Sequence, residues 1–245
     1  MITSSLSRLS TIVLTSLILA GFSAQLPVES EVRQIVTFSF LSGKSGEALA
    51  VFRDVAIPLY ERDDAMLSFR GFREVESPIA LDLIVVSSFA GMSGMDESNS
   101  TLRALAAEAG TSIGAIYGRI GALSSRHTDE FVEMLPALGN GDPSSRRLTA
   151  LVWYRILPGQ GGAFETALET AIAPWEASSG IPSATGRFLV SDGWDYLRFL
   201  GFDSLGDYQE YWSRIGGDSG HARLVDLTAE RREVIVASVA ELSIR

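Results

Sequence analysis

Apolar positions fall into a pattern that occurs twice along this chain. In the later copy they run almost unbroken from Leu148 to Leu157, stop at Pro158-Gly159-Gln160-Gly161-Gly162, and return at helical spacing around Phe164, Leu168 and Ile172. A short continuous run, a glycine-rich break and then a helical period predict a strand, a tight turn and a helix. Arg187 to Ser191, turning at Asp192-Gly193 into Trp194 to Phe202, predicts a hairpin, and Leu205, Tyr208 and Trp212 mark a second helix. Arg231 to Leu242 supplies a last strand. The order is βαββαβ, that of a ferredoxin-like sheet with its helices on one face.

The earlier copy begins at Val32 to Leu41, breaks at Ser42-Gly43-Lys44-Ser45-Gly46 and resumes with Leu49, Phe52, Val55 and Pro58. A displacement of 116 residues brings Gly43 onto Gly159, Gly46 onto Gly162, Phe52 onto Leu168 and Pro58 onto Pro174. With a drift of a few residues, Leu81 to Phe89 matches Trp194 to Phe202. Helical sequence from about Ser98 to Leu123 then precedes Glu130 to Leu138, the counterpart of the last strand. This is the mark of an internal duplication. It divides the chain into repeats at 31–138 and 148–245, joined by a polar linker at 139–147. Helices on one side leave the other face of each sheet bare, and two copies in one chain bury those faces by packing sheet on sheet.

The strand and turn Tyr154-Arg155-Ile156-Leu157-Pro158-Gly159, with Gly201-Phe202-Asp203-Ser204-Leu205 further on, resemble the dimeric α/β-barrel superfamily. Within it the pattern is most similar to NIPSNAP-like and antibiotic-biosynthesis-monooxygenase-like domains, over about residues 31–245. The resemblance implies an α+β fold in which two tandem ferredoxin-like repeats pack as an intramolecular dimeric α/β barrel. It also implies a cavity between sheet and helices or between the packed sheets, and a cofactor-independent monooxygenase as one candidate activity. Haem-binding relatives hold iron with a histidine on the helix side. Near that place this chain has Tyr211 and Trp212, with His221 further along. No cofactor is therefore expected, and haem held by His221 is the lesser alternative.

Charge and composition narrow the partners. Arg8, an apolar run from Thr11 to Phe22 and small residues at Gly21, Ser23 and Ala24 form a secretory signal pattern over residues 1–24. The expected protein is thus exported, periplasmic or secreted, and away from the membrane after cleavage. A formal net charge of −10 argues against nucleic acid and anionic lipid surfaces as partners. The chain has no cysteine, hence no disulfide and no thiol chemistry, and His127 and His221 are too few for a histidine triad, so no metal is expected. Oligomeric state is left open.

Candidate ligand contacts come from strand parity, because successive side chains point to opposite faces. Val152, Tyr154 and Ile156 suit the helix side of the first strand of the second repeat, leaving Trp153 and Arg155 opposite. In the third strand Leu197, Phe199 and Gly201 suit the helix side, leaving Tyr196, Arg198, Leu200 and Phe202 opposite. On this reading Trp153, Arg155, Tyr196, Arg198 and Phe202 gather on one surface of the second half. Their counterparts in the first half, Thr37, Ser39, Leu83, Val85, Ser87 and Phe89, are smaller and uncharged. Two arginines among aromatics need anionic partners. Those are either acids of the other sheet, such as Glu74 or Glu76, or the acid of a ligand. The resulting expectation is an exported tandem barrel that binds a small aromatic or anionic organic molecule in its second half. The alternatives are a cofactor-independent monooxygenase-like enzyme and a ligand-free interaction module.

Overall fold

A computed structural model describes residues 30–76 and 81–244; the expected leader lies outside the described residues. The first repeat runs β1 (Val32–Phe40), α1 (Ser45–Val51), α2 (Ile57–Tyr60), β2 (Met66–Glu76), β3 (Leu83–Phe89), α3 (Gly91–Glu108), α4 (Ile113–Leu123) and β4 (Ser124–Met134). The second runs β5 (Leu148–Ile156), α5 (Gly161–Ala167), α6 (Ala173–Ser178), β6 (Ser183–Val190), β7 (Tyr196–Phe202), α7 (Leu205–Ile215), α8 (Ser219–Leu227) and β8 (Thr228–Ile244).

Local detail repeats with the sequence. A single π-helical turn joins α1 to α2 at Phe52–Ala56 and α5 to α6 at Leu168–Ile172, the same positions in the two copies. Each turn lies just ahead of Pro58 or Pro174, whose missing N–H and bulky ring disfavour an uninterrupted α-helical ladder. Gly43 and Gly159 take φ of 74° and 77° in the strand-to-helix turns, a left-handed conformation that other residues rarely adopt. Asp82 accepts the Phe40 amide at 2.7 Å and Asp195 accepts the matching Ile156 amide at 2.7 Å. These two carboxylates close strand ends, as a repeated turn requires.

The eight strands form a closed antiparallel barrel in the order β1-β3-β2-β8-β5-β7-β6-β4. Each repeat supplies four strands in ferredoxin-like order, and the seams are β2 with β8 and β4 with β6. Sealing each half's edges against the other satisfies backbone donors and acceptors that an isolated sheet would expose. Helices cover the outside of both halves. One core lies under α1 to α4 and a second under α5 to α8. A third draws on all eight strands and no helix: Ile35, Phe72, Ile84, Val132, Leu151, Trp153, Leu197, Phe199 and Val234 are members, with Ala184 and Phe188 packed against it. It is the barrel lumen, which eight strands leave just wide enough for side chains to fill.

Candidate functional site

The five candidate residues of the second half divide between two faces. Trp153 belongs to the lumen, whereas Tyr196 and Phe202 belong to the core under the second set of helices. Arg155 is half exposed at the barrel rim, over the Trp194 ring at 5.1 Å and 2.5 Å from Glu230. Arg198 is 1% exposed and faces the helices with Val152, its partner across β5 and β7. The expected parity thus holds for β5 and is inverted for β7. Every residue of β7 is buried, so hydrophobicity marks neither face, and the pairing of Trp153 with Leu197 and of Tyr154 with Tyr196 decides it. The same inversion applies to β3, where Leu83, Val85 and Phe89 lie under helices.

Arg198 is bonded to an acid, though not one of the other sheet. Its Nη2 donates to both oxygens of Glu176 on α6, at 2.8 and 2.7 Å, and its Nε reaches Thr185 at 3.2 Å. Tyr211 donates to Glu176 at 2.8 Å. Glu176 is 0% exposed. Burial pulls the Arg198 guanidinium down most strongly, but the Glu176 carboxylate, together with Tyr211 and Tyr154, outweighs it and holds the pKa above its ordinary value. Phe164, Leu168, Leu200 and Phe202 fill the remaining space around this network.

In the lumen, Trp153 donates to Glu130 at 3.1 Å, and Arg232 lies over the Trp153 ring at 4.2 Å. Desolvation raises the Glu130 pKa, with the Trp153 hydrogen bond and Arg232 opposing it only in part. A carboxyl that binds its proton more tightly when folded favours the fold most below its unfolded pKa, and this contribution is lost as pH rises through the folded value. Glu130→Gln, which keeps an acceptor for Trp153, should flatten that decline and raise stability at pH 7. Urea unfolding at pH 4, 5.5 and 7 measures this, and parallel pH profiles for the two proteins would refute it.

The first half is open where the second is filled. A cavity of about 300 Å³ lies between its sheet and helices, walled by Phe38, Phe52, Phe69, Phe89 and Phe131. Strand register and repeat position explain the space. Val85 pairs with Val36 as Arg198 pairs with Val152, so Val85 stands where the second half has Arg198. By the same correspondence Tyr60 stands for Glu176, Ser87 for Leu200 and Ser98 for Tyr211. Three of these replacements, Val85, Ser87 and Ser98, are smaller than their counterparts and leave a hollow, while the larger Tyr60 lines it. The sequence carried this signal in the comparison of Ser87 with Leu200 and of Val85 with Arg198, but the inverted parity of β3 hid its meaning.

Polar groups occupy one side of the hollow. The Tyr60 and Tyr117 hydroxyls are 3.2 Å apart, so one donates to the other and one O–H stays available. Tyr60 is buried and Tyr117 is 45% exposed as a residue; desolvation around their contact raises both phenol pKa values from an ordinary value at which they are already protonated at neutral pH. Ser98 donates to the buried Asp63 at 2.5 Å. At the mouth on β4, His127 Nε2 is 3.8 Å from Asp129 Oδ2, and Asp129 accepts from Gln34 at 2.9 Å.

No family model and no curated protein matches the sequence. Solved structures do match in shape. A proposed monooxygenase from Fusobacterium nucleatum superposes with a TM-score of 0.62 at 7% identity, covering 86% of this chain and 93% of the other. One from Lactobacillus acidophilus NCFM gives 0.60 at 8%, covering 88% and 99%. The fold is that of the dimeric α/β barrels. An anthrone oxidase-like protein (0.60, 10%, covering 86% and 92%) and chlorite dismutase from Candidatus Nitrospira defluvii (0.57, 11%, covering 87% and 92%) share it.

Haem does not fit the second half of this barrel. The space between its sheet and helices is taken by Phe164, Leu168, Leu200, Phe202 and Tyr211, none more than 3% exposed. His221 packs instead against the Trp212 ring at 5.6 Å, with Arg231 3.9 Å from the same ring. Burial and the Arg231 charge lower its pKa. Among the described residues no group of three or more His, Asp or Glu side chains is placed to hold a metal ion.

Proposed function

We propose that this protein binds a small aromatic organic molecule in the cavity between the sheet and helices of its first half. The observation that carries the reading is the aromatic-walled hollow of about 300 Å³ with a pair of neutral phenols on one side. That combination, apolar walls with few convergent polar groups, is what small-molecule sites present, and the volume suits one to three fused rings. The phenol O–H left over from the Tyr60–Tyr117 contact is a donor for a ligand carbonyl or phenol oxygen. A ligand in the second half, as the arginines there suggested, is not favoured, because Arg198 is already satisfied by Glu176. The signal pattern at residues 1–24 supports a site of action outside the cytoplasm as part of this proposal; N-terminal sequencing of protein from its own host tests the cleavage.

Titration with 1-naphthol, followed by calorimetry, tests binding. Ser87→Phe fills the hollow and should abolish the heat of binding while circular dichroism stays unchanged. Undiminished binding in that variant would overturn the site.

A catalytic reading is favoured by His127, an imidazole that lines the cavity mouth and is the side chain most often used as a general base. It is consistent with the neighbours described as monooxygenases and as anthrone oxidase-like. On this reading His127 takes a proton from an activated CH₂ of an aromatic ketone, Tyr60 or Tyr117 donates to the resulting enolate oxygen, and the enolate is oxidised by dioxygen. The balance is CH₂ + O₂ to C=O + H₂O, with the substrate supplying the electrons. Anthrone should then be converted to anthraquinone with one O₂ consumed per turnover. His127→Ala should slow this by roughly 10²-fold, the usual contribution of a positioned base. An equal rate in the variant would leave binding as the whole function.

A further inference from the structure

The barrel lumen has a second cavity of about 300 Å³, at one mouth and away from both sets of helices. Arg33 pairs with Ser88 across β1 and β3, and Ser88 pairs with Ser68 across β3 and β2. Directly opposed residues share a face, so the three side chains stand in one row on the lumen side. Arg70, paired with Val86, follows in the next row. Thr149 lines the same cavity from the second repeat, and Phe199 forms part of its apolar floor. The interrepeat turn at Asp142–Ser144 forms the rim.

The two arginines are recessed and only lightly committed. Their side chains are 19% and 29% exposed, whereas the nearby acids Glu31 and Asp142 are 36% and 59% exposed. Arg33 donates from Nε to Glu31 at 2.6 Å, and its guanidinium lies 5.1 Å from the Phe199 ring centroid. Arg70 has Asp142 at 3.6 Å, beyond hydrogen-bonding distance. The other oxygen of Asp142 is occupied by the Ser144 amide and hydroxyl, at 3.0 and 2.6 Å. A guanidinium has five N–H donors, so most of the capacity of both groups is unspent among the described residues. The fold itself does not call for these charges. The positions corresponding to Arg33, Arg70 and Ser88 in the second repeat are Thr149, Ala184 and Gly201.

We propose that this barrel mouth binds an organic carboxylate, its acid group held between Arg33 and Arg70 and its apolar body on Phe72, Val86 and Phe199. The ligand acid replaces Asp142 as the partner of Arg70, while Glu31 stays with Arg33. Ser68, Ser88 and Thr149 supply hydroxyls around the carboxylate. The site is separate from the helix-side cavity and does not depend on its proposed ligand.

Fluorine-detected NMR with 4-fluorobenzoate on the whole protein tests it, with 4-fluorobenzamide as the neutral counterpart and inorganic phosphate as a competitor. The benzoate should bind, the amide should bind at least about tenfold more weakly, and Arg70→Gln should reduce benzoate affinity by at least about tenfold, as expected for loss of a charge-assisted pair. Arg70→Gln should melt within a few degrees of the parent, since its acid neighbour Asp142 lies at 3.6 Å and is itself 59% exposed. Ser87→Phe, which blocks the other cavity, should leave benzoate binding intact. Equal binding of the amide, or an unchanged affinity in Arg70→Gln, overturns the proposal. Loss of binding in Ser87→Phe alone overturns it too, by assigning the probe to the helix-side cavity. Displacement by phosphate at comparable concentration would overturn the organic part of the assignment.

Discussion

Glu176→Leu lowers the unfolding free energy by about 3–5 kcal/mol, the cost of leaving a buried charge without its partner. Arg198 is then confined at 1% exposure with the Thr185 hydroxyl as its remaining hydrogen-bond partner among the described residues, and Tyr211 loses its acceptor as well. The triple variant Glu176→Leu, Arg198→Met, Tyr211→Phe removes all three orphaned groups together. Its stability returns to within about 1 kcal/mol of the parent or exceeds it, because well-packed apolar groups often replace a buried ion pair without loss. Guanidinium chloride unfolding of the parent, single and triple variants measures both effects. A loss below about 1 kcal/mol for the single variant would mean that Arg198 reaches water. The second half would then have room for a ligand after all. Binding in the first-half cavity should be the same in parent and triple variant, since the altered residues lie under the other set of helices.

Gly186→Val should cost about 3 kcal/mol or more, at the upper end for overpacking a filled interior. A Cβ at Gly186 would lie 2.2 Å from Val132 Cγ1, 2.9 Å from the Glu133 carbonyl and 3.1 Å from Met134 Sδ. Val132 is 0% exposed and stiff at Cβ, so it cannot swing aside. Gly186 pairs with Met134 across the seam of β4 and β6, where the two repeats close the barrel. The added bulk therefore acts on the junction of the halves as well as on the lumen. Val132→Ala in the same chain should restore part of the loss, and thermal melts of the two variants test that coupling. If Gly186→Val alone melts with the parent, the lumen is looser at this seam than its side chains indicate.

The two halves show why some of this was legible and some was not. In β1 and β5 the helix-side residues are named by the pattern, and Trp153 falls in the lumen as the parity of β5 requires. In β3 and β7 all seven residues are buried, so there is no polar face to read. The direction of Arg198, Tyr196 and Phe202 then depends on hydrogen-bond register with β5, a relation between residues 42 to 54 positions apart. The partner of Arg198 was missed for a related reason. Glu176 sits in a short helix after a π-helical turn, and that turn shifts its side chain relative to an uninterrupted helical spacing.

Sequence alone determined the duplication, the βαββαβ order of each copy and the glycine turns. All of these depend on interactions within a few residues or on a repeated local pattern, where period and turn chemistry carry the information. Only the tertiary structure decided which half is hollow and which is filled, how Arg198 is neutralised, and that Arg33 and Arg70 meet at one barrel mouth. Those outcomes follow from which strands are neighbours and in what register. A shift of a single residue in that pairing turns every side chain to the opposite face, while the composition of the chain stays the same.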